Sequence, residues 1–212
     1  FKFIAGKLKA GVSEQQIANQ IELFIKQKNA EISFKPIVAF GKNSSIPHHL
    51  TGPTKLKRNQ IVLLDFGVKV NNYCSDMSRT VFFGKAPEKF RKMHQTVLEA
   101  QKLAIEYVKG QRSNVKCYLF ARDIDRIARQ YIVKQGYPSI PHSVGHGVGI
   151  EVHEAPHLSP KSKDRIKPGM VFSVEPGIYI PNFGGLRIED LVLVTQKGAE
   201  LISHANREII EL

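Results

Sequence analysis

Leu56-Lys57-Arg58-Asn59-Gln60-Ile61-Val62-Leu63-Leu64-Asp65-Phe66-Gly67 and Ile166-Lys167-Pro168-Gly169-Met170-Val171-Phe172-Ser173-Val174-Glu175-Pro176-Gly177 are two renderings of one pattern, 110 residues apart with no gap. Each runs as a basic turn, an apolar strand, a carboxylate and a glycine. The apolar runs are short and bounded by Asn, Pro and Gly, which is the length and punctuation of a buried strand. A second acid follows each copy: Asp76 eleven residues after Asp65, and Glu189 fourteen after Glu175. The repeat predicts a pseudo-symmetric domain whose halves each bring two acids to one site.

Outward from the first copy, Ile37-Val38-Ala39-Phe40 and Thr80-Val81-Phe82-Phe83 read as further buried strands. Around the second copy, Gly177-Ile178-Tyr179-Ile180 and Leu191-Val192-Leu193-Val194 read the same way. Residues 1–10 read as the tail of a helix ending near Gly11. Ser13-Glu14-Gln15-Gln16 fits a capping box, and Ile17, Ile21, Phe24 and Ile25 space out an amphipathic helix to about Asn29. Pro87 suits the start of a longer helix with Phe90, Met93, Val97, Ala100 and Ala104 on one face, closed by Gly110. Leu119, Ile124, Ile127, Ala128, Tyr131 and Ile132 mark a third helix, stopped by Gly136 and Pro138. Helix, strands, two helices and strands, with no low-complexity linker, predict one α+β domain over residues 1–212.

A carboxylate at the end of Ile61-Val62-Leu63-Leu64 is costly to bury unless it is paired or metal-bound. A single such aspartate would be read as a turn cap. Four acids set out by a repeat are a cluster, and two divalent cations balance its four negative charges. A histidine should complete it. His142, His146 and His153 share a glycine-rich segment, and imidazole is a common ligand for Mn, Fe, Co and Zn. Three literal motif matches fail on context. His153-Glu154-Ala155-Pro156-His157 spells H-E-x-x-H, yet Pro156 forbids the helix that would put both histidines on one ion. Asp65-Phe66-Gly67 lacks the other kinase segments. Gly145, Gly147 and Gly149 lack dinucleotide-binding spacing.

Composition narrows the classes further. The 212 residues are 42% hydrophobic and 24% charged, which excludes disordered and collagenous chains. No apolar run approaches the ~18–20 residues of a membrane span, so neither a membrane partner nor a secretory leader is expected. Cys74 and Cys117 are too few for a disulfide framework or a four-cysteine zinc site, and a reducing cytoplasm is the expected compartment. Thirty-one Lys and Arg against nineteen Asp and Glu give a net charge of +12. These cations are scattered and accompanied by no nucleic-acid-binding pattern, so they read as a solvated surface and no nucleic acid is expected as partner.

Asp65-Phe66-Gly67, Ser75-Asp76-Met77-Ser78-Arg79-Thr80, Gly145-His146-Gly147-Val148-Gly149, Val174-Glu175-Pro176-Gly177 and Arg187-Ile188-Glu189-Asp190 together resemble the pita-bread metallopeptidases. More narrowly, they resemble the Xaa-Pro aminopeptidase and prolidase branch, over about Gly11 to Thr195 and with the five motifs in the family order. The resemblance implies a pseudo-two-fold pita-bread fold, an antiparallel sheet covered by helices. It implies two divalent ions per chain, Mn2+ or Co2+ first, with Fe2+ or Zn2+ as further options. Asp65 would bind one metal, Asp76 and Glu189 would bridge both, and His146 and Glu175 would bind the second. Glu175 matches a glutamate that shuttles a proton to the leaving nitrogen, and His153 a histidine that stabilises the tetrahedral intermediate. His48 and His142 match substrate-side histidines. Arg187 matches an arginine before the last glutamate, either touching substrate or holding Asp65 or Glu189 in place.

The implied activity is hydrolysis of the bond between an N-terminal residue and a following proline, in peptides with proline second. A methionine aminopeptidase is the nearest rival, but that branch has Glu-His where Glu189-Asp190 stands, lacks a counterpart of Arg187 and carries a Cys-His-Gly segment near His48. A non-catalytic pita-bread module binding protein or RNA is the alternative of another class, and retention of all five ligands argues against it. Members of the branch carry an N-terminal domain, so a catalytic part of a longer chain, with a homodimer as its assembly, is the expectation.

Overall fold

Ile61, Val62, Leu63 and Leu64 are 2%, 0%, 1% and 0% exposed, because the strand they build has apolar neighbours on both faces. In the computed structural model, which describes residues 1–110 and 119–212, that strand is central to the first half of the chain. Cys117 lies outside the described residues. The first half contains α1 (Lys2–Ala5), α2 (Glu14–Gln27), β1 (Glu31–Ile32), β2 (Ile37–Phe40), a 3-10 turn (Gly41–Ser45), β3 (Gln60–Asp65), β4 (Val68–Val70), β5 (Tyr73–Cys74) and β6 (Ser78–Phe83). The second contains α3 (Glu88–Gly110), α4 (Ala121–Lys134), β7 (Gly145–Gly147), β8 (Glu154–Leu158), β9 (Val171–Val174), β10 (Gly177–Ile180), β11 (Gly184–Arg187), β12 (Asp190–Thr195) and β13 (Gly198–Leu201).

The two copies of the repeat are β3 and β9. Sheet β2-β3-β6 belongs to the first half and sheet β13-β12-β9-β7-β8 to the second, with every pairing antiparallel. From β3, Val62 and Leu64 pack with Ile17, Ile21 and Ile25 of α2, while Ile61 joins the core beneath α3 and Leu63 meets Tyr179 between the halves. This explains a continuous apolar run in place of an alternating one. Each such side chain contributes about 1.5–3 kcal/mol by leaving water. The larger core lies where α3 and α4 cover the five-stranded sheet, with Phe90, Met93, Ala128 and Ile132 against Phe172, Val174 and Val192. No described helix is long and apolar enough to cross a membrane.

The capping box forms as read, with Ser13 Oγ accepting from Gln16 N and Gln16 Oε1 accepting from Ser13 N. One boundary differs. The first helix is a single turn that ends at Gly6, and residues 7–12 are turns that drop Leu8 into the core. The segment around the H-E-x-x-H match is no helix: Glu154–Leu158 is a strand paired with β7.

The register of the two strand pairs locates the pseudo-two-fold axis. Leu64 faces Arg79 and Val174 faces Asp190. Since Leu64 and Val174 are repeat equivalents, so are Arg79 and Asp190, and those two side chains form a buried ion pair. By the same register Ser78 corresponds to Glu189, and Ser78 Oγ donates to Glu189 Oε2 at 2.7 Å. Asp76 and Glu189 are therefore not strict equivalents, which accounts for two of the three residues by which their spacings from Asp65 and Glu175 differ.

Candidate metal centre

Four acids and a histidine arrive at one cavity of about 280 Å³ from five points of the chain. Asp65 is the last residue of β3, and Asp76 lies in the turn between β5 and β6. Glu175 follows β9, Glu189 precedes β12, and His146 is the middle residue of β7. The glycines flanking His146 are required by close approach: a Cβ on Gly145 would strike Ser173 O, and one on Gly147 would strike Ala155 O. That approach lets β7 sit between β9 and β8. His146 Nδ1 lies 3.2 Å from Gly147 O, which places the ring proton on that nitrogen and leaves Nε2 with its lone pair. Nε2 faces Glu175 Oε1 at 3.3 Å and Asp76 Oδ2 at 3.6 Å.

Such a cluster is unfavourable as it stands. Burial, then the Asp65 and Glu175 charges, push Asp76 well above the usual carboxylate range. Burial, then Asp76, Glu175 and Asp65, do the same to Glu189. Burial pushes Glu175 up to about 7 against the pull of Arg187. Burial also takes His146 down to about 4, so its imidazole is neutral at pH 7. Asp65 Oδ1, Asp76 Oδ1 and Glu189 Oε1 are buried with no hydrogen-bond partner among the described residues. Buried acceptors without donors are rare, and a shared cation satisfies several at once. Ligand atoms of Asp65, Asp76 and Glu189 lie within 4.8 Å of one another, and so do those of His146, Glu175 and Glu189. A third such group joins Asp76, His146 and His153. The oxygen and imidazole donors fit Mn2+, Co2+, Fe2+ or Zn2+.

The remaining partners of these acids hold them in orientation. Ser173 Oγ donates to Glu175 Oε1 at 3.3 Å and also accepts from His146 N at 3.1 Å. Arg187, only 2% exposed, donates from Nη2 to Asp65 Oδ2 at 2.5 Å, from Nε to Ser78 Oγ at 2.8 Å, and from Nη1 to Tyr179 Oη at 2.9 Å and Pro47 O at 3.2 Å.

The rim is histidine-rich. His48 and His142 face each other with ring centroids 6.3 Å apart, and His153 lies edge-on to His146 at 4.3 Å. His142 Nε2 is 2.8 Å from Tyr179 Oη, completing a chain from Arg187 through Tyr179 to His142. Burial and the nearby Arg187 take His142 down to about 3, and burial takes the Tyr179 hydroxyl up to about 12. All nine residues singled out from the sequence (Asp65, Asp76, His146, Glu175, Glu189, His48, His142, His153 and Arg187) line this cavity. His157 lines it too, but belongs to no ligand group with His153 among the described residues. The sequence reading gave no role to Tyr179, Phe34, Ile37 or Ser78. Tyr179 stood in an ordinary apolar strand, with no local signal that its hydroxyl meets Arg187.

The profile of metallopeptidase family M24 matches residues 1–196. A Xaa-Pro dipeptidase from Pyrococcus furiosus is 40% identical over 202 residues, covering 94% of this chain and 56% of that protein. Among solved structures, a dipeptidase from Pyrococcus horikoshii superposes with a TM-score of 0.93 at 38% identity, covering 100% of this chain and 58% of that one. An X-Pro aminopeptidase from Thermotoga maritima does so with a TM-score of 0.93 at 33% identity, covering 100% and 59%. The chain thus spans rather more than half the length of the relatives it matches.

Proposed function

The chain belongs to metallopeptidase family M24 and has its pita-bread fold, and from that premise we propose that it is a dinuclear metal-dependent exopeptidase. Its reaction is hydrolysis of the bond between an N-terminal residue and a following proline. The observation that carries this reading is the convergence of four buried carboxylates and a neutral His146 on one cavity, three of the carboxylate oxygens lacking any donor among the described residues.

Asp65, Asp76 and Glu189 would hold one ion and His146, Glu175 and Glu189 the second, with Asp76 also bridging. Mn2+ or Co2+ is the first assignment, and Fe2+ or Zn2+ suit the same donors. Bound there, such ions supply Lewis-acid polarisation of the scissile carbonyl and acidify a water. Glu175 takes the proton of the attacking water and returns it to the proline nitrogen. His153, exposed beside His146, donates to the oxyanion that develops. His48 and neutral His142 hold the substrate from the rim, while Phe34 and Ile37 give the pyrrolidine ring an apolar wall. Arg187 is buried with its donors engaged, which supports a role in holding Asp65 and Tyr179 over direct contact with substrate. A cytoplasmic location is part of the same proposal, resting on the low cysteine content of the sequence.

An Xaa-Pro bond has no N–H on its leaving nitrogen, so a site that accepts it is distinguishable by substrate choice. The whole protein, stripped of metal and resupplied with Mn2+, should cleave Xaa-Pro peptides and leave Met-Ala peptides largely intact. Equal cleavage of both would replace this assignment with that of a methionine aminopeptidase.

A further inference from the structure

We propose that Gln101, on α3 behind the carboxylate cluster, is a positioning residue that sets the spacing between Glu175 and Glu189; this rests on the metal-centre reading above. Its side chain is 0% exposed. Nε2 lies 3.0 Å from Val174 O, 3.2 Å from Ile188 O and 3.0 Å from Asp190 Oδ2. These acceptors belong to the residue before Glu175 and to the residues on either side of Glu189. A single amide therefore ties the end of β9 to the start of β12 at the points where each strand releases its acid.

The other end of the amide shows that this is not ordinary core filling. Gln101 Oε1 is buried and accepts no hydrogen bond among the described residues. A buried amide oxygen without a donor is destabilising. Gln101 lies among apolar helix neighbours, Val97 and Leu98 one turn before and Ala104 and Ile105 one turn after, all buried. A methionine of similar length would fill that place without the amide's own orphaned oxygen, though the three acceptors of the NH2 group would lose that donor. What it could not do is donate to both strands. Glu175 and Glu189 sit just beyond the β9–β12 ladder, each with its own backbone N–H bonded elsewhere (to Val144 O at 2.8 Å and Ser78 O at 3.1 Å), and the Gln101 amide spans from one side of the gap to the other. Asp190 is fixed in turn by Arg79, which anchors the Glu189 side of the gap.

The test is Gln101→Met in the whole protein, read by Mn2+ titration calorimetry and by urea unfolding of the chelated form. The expected result is a chelated variant that still folds cooperatively, its urea midpoint lowered by no more than about 1 M, since one orphaned acceptor is removed while two amide protons no longer serve three acceptors. Alongside it, Mn2+ affinity falls at least ~10-fold, as for other groups that orient metal ligands. Parent-like Mn2+ affinity in the variant would overturn the proposal. So would a chelated variant that fails to fold or whose midpoint falls far below the parent's, because the amide would then serve the core and not the spacing. A parent that binds no Mn2+ would instead refute the metal-centre reading itself, an outcome distinct from either.

Discussion

Replacing Arg79 by Met should be among the most destabilising single changes in this chain. Arg79 is 2% exposed and its partner Asp190 is 0% exposed, so the pair sits on the pseudo-two-fold axis out of reach of water. The guanidinium donates to Asn206 O at 2.9 Å, Ala205 O at 2.9 Å, Ser78 O at 2.9 Å and Glu189 O at 2.5 Å, besides Asp190 Oδ1. It thereby joins both halves of the domain to the C-terminal segment. Without it Asp190 keeps, among the described residues, the Gln101 amide at 3.0 Å and Arg207 at 4.0 Å. Burial already raises the Asp190 pKa against the opposing pull of Arg79, so loss of the arginine leaves a buried charge that must take up a proton. Breaking one side of such a pair costs about 3–5 kcal/mol. With a urea slope of ~2 kcal/mol/M, the midpoint of the chelated protein should drop by about 2 M. The double variant Arg79→Met/Asp190→Leu removes both charges and should recover at least half of the loss, since an apolar pair of similar volume replaces a buried ion pair at little cost. A single-variant loss below ~1 kcal/mol, or a double variant as unstable as the single, would refute this reasoning.

The carboxylate cluster makes the stability of metal-free protein pH-dependent. Asp76, Glu175 and Glu189 have folded-state pKa values above their ordinary ones, so their contribution is present at low pH and is lost as pH rises towards the folded values. From pH ~4.5 up to about 7, the Glu175 value, urea unfolding should show EDTA-treated protein losing stability relative to Mn2+-loaded protein as pH rises. An unchanged slope with Mn2+ would count against a cation in the cluster. His94 acts in the opposite sense: burial lowers it to about 4, so the stability it contributes is complete above pH ~6.5 and lost as pH falls towards 4. His94→Leu should therefore lose less stability than the parent between pH 7 and 4, by up to about 3 kcal/mol, and parallel curves would refute it. Glu14 is buried and accepts from Phe40 N, Asn43 Nδ2 and Gly52 N, with His49 Nε2 at 2.9 Å, pinning the loop that carries His48. Glu14→Ala should cost about 2–4 kcal/mol in urea unfolding, and a loss under ~1 kcal/mol would show that the loop is held otherwise.

What the sequence made legible follows from the range over which each signal acts. The β3 and β9 copies, the capped α2 and the apolar faces of α3 and α4 are local patterns, and the structure contains them. Their acids could be grouped because a repeat of strands brings equivalent ends together. The short strands β1, β4, β5, β7, β11 and β13 were not singled out, since two to four residues carry no periodicity and owe their pairing to neighbours distant in sequence. The Arg79–Asp190 pair stood inside two quoted motifs, but its pairing, 111 residues apart, left no local trace. Tyr179 and Gln101 escaped for a related reason. Each of these two acts through a hydrogen bond to a residue at least eight positions away, and nothing beside it in the chain marks it as polar machinery. The unequal spacing of Asp76 and Glu189 became intelligible only from the strand register, which places Glu189 opposite Ser78 in the symmetry and not opposite Asp76.

The central claim is that the four carboxylates and His146 hold divalent cations. Anomalous diffraction at the manganese edge, from crystals of the whole protein grown with Mn2+, tests it most directly. The account predicts peaks within the cavity, between Asp65, Asp76 and Glu189 and between His146, Glu175 and Glu189, with the three unpartnered carboxylate oxygens turned towards them. Manganese peaks elsewhere on the chain, with those carboxylates unligated, would contradict it.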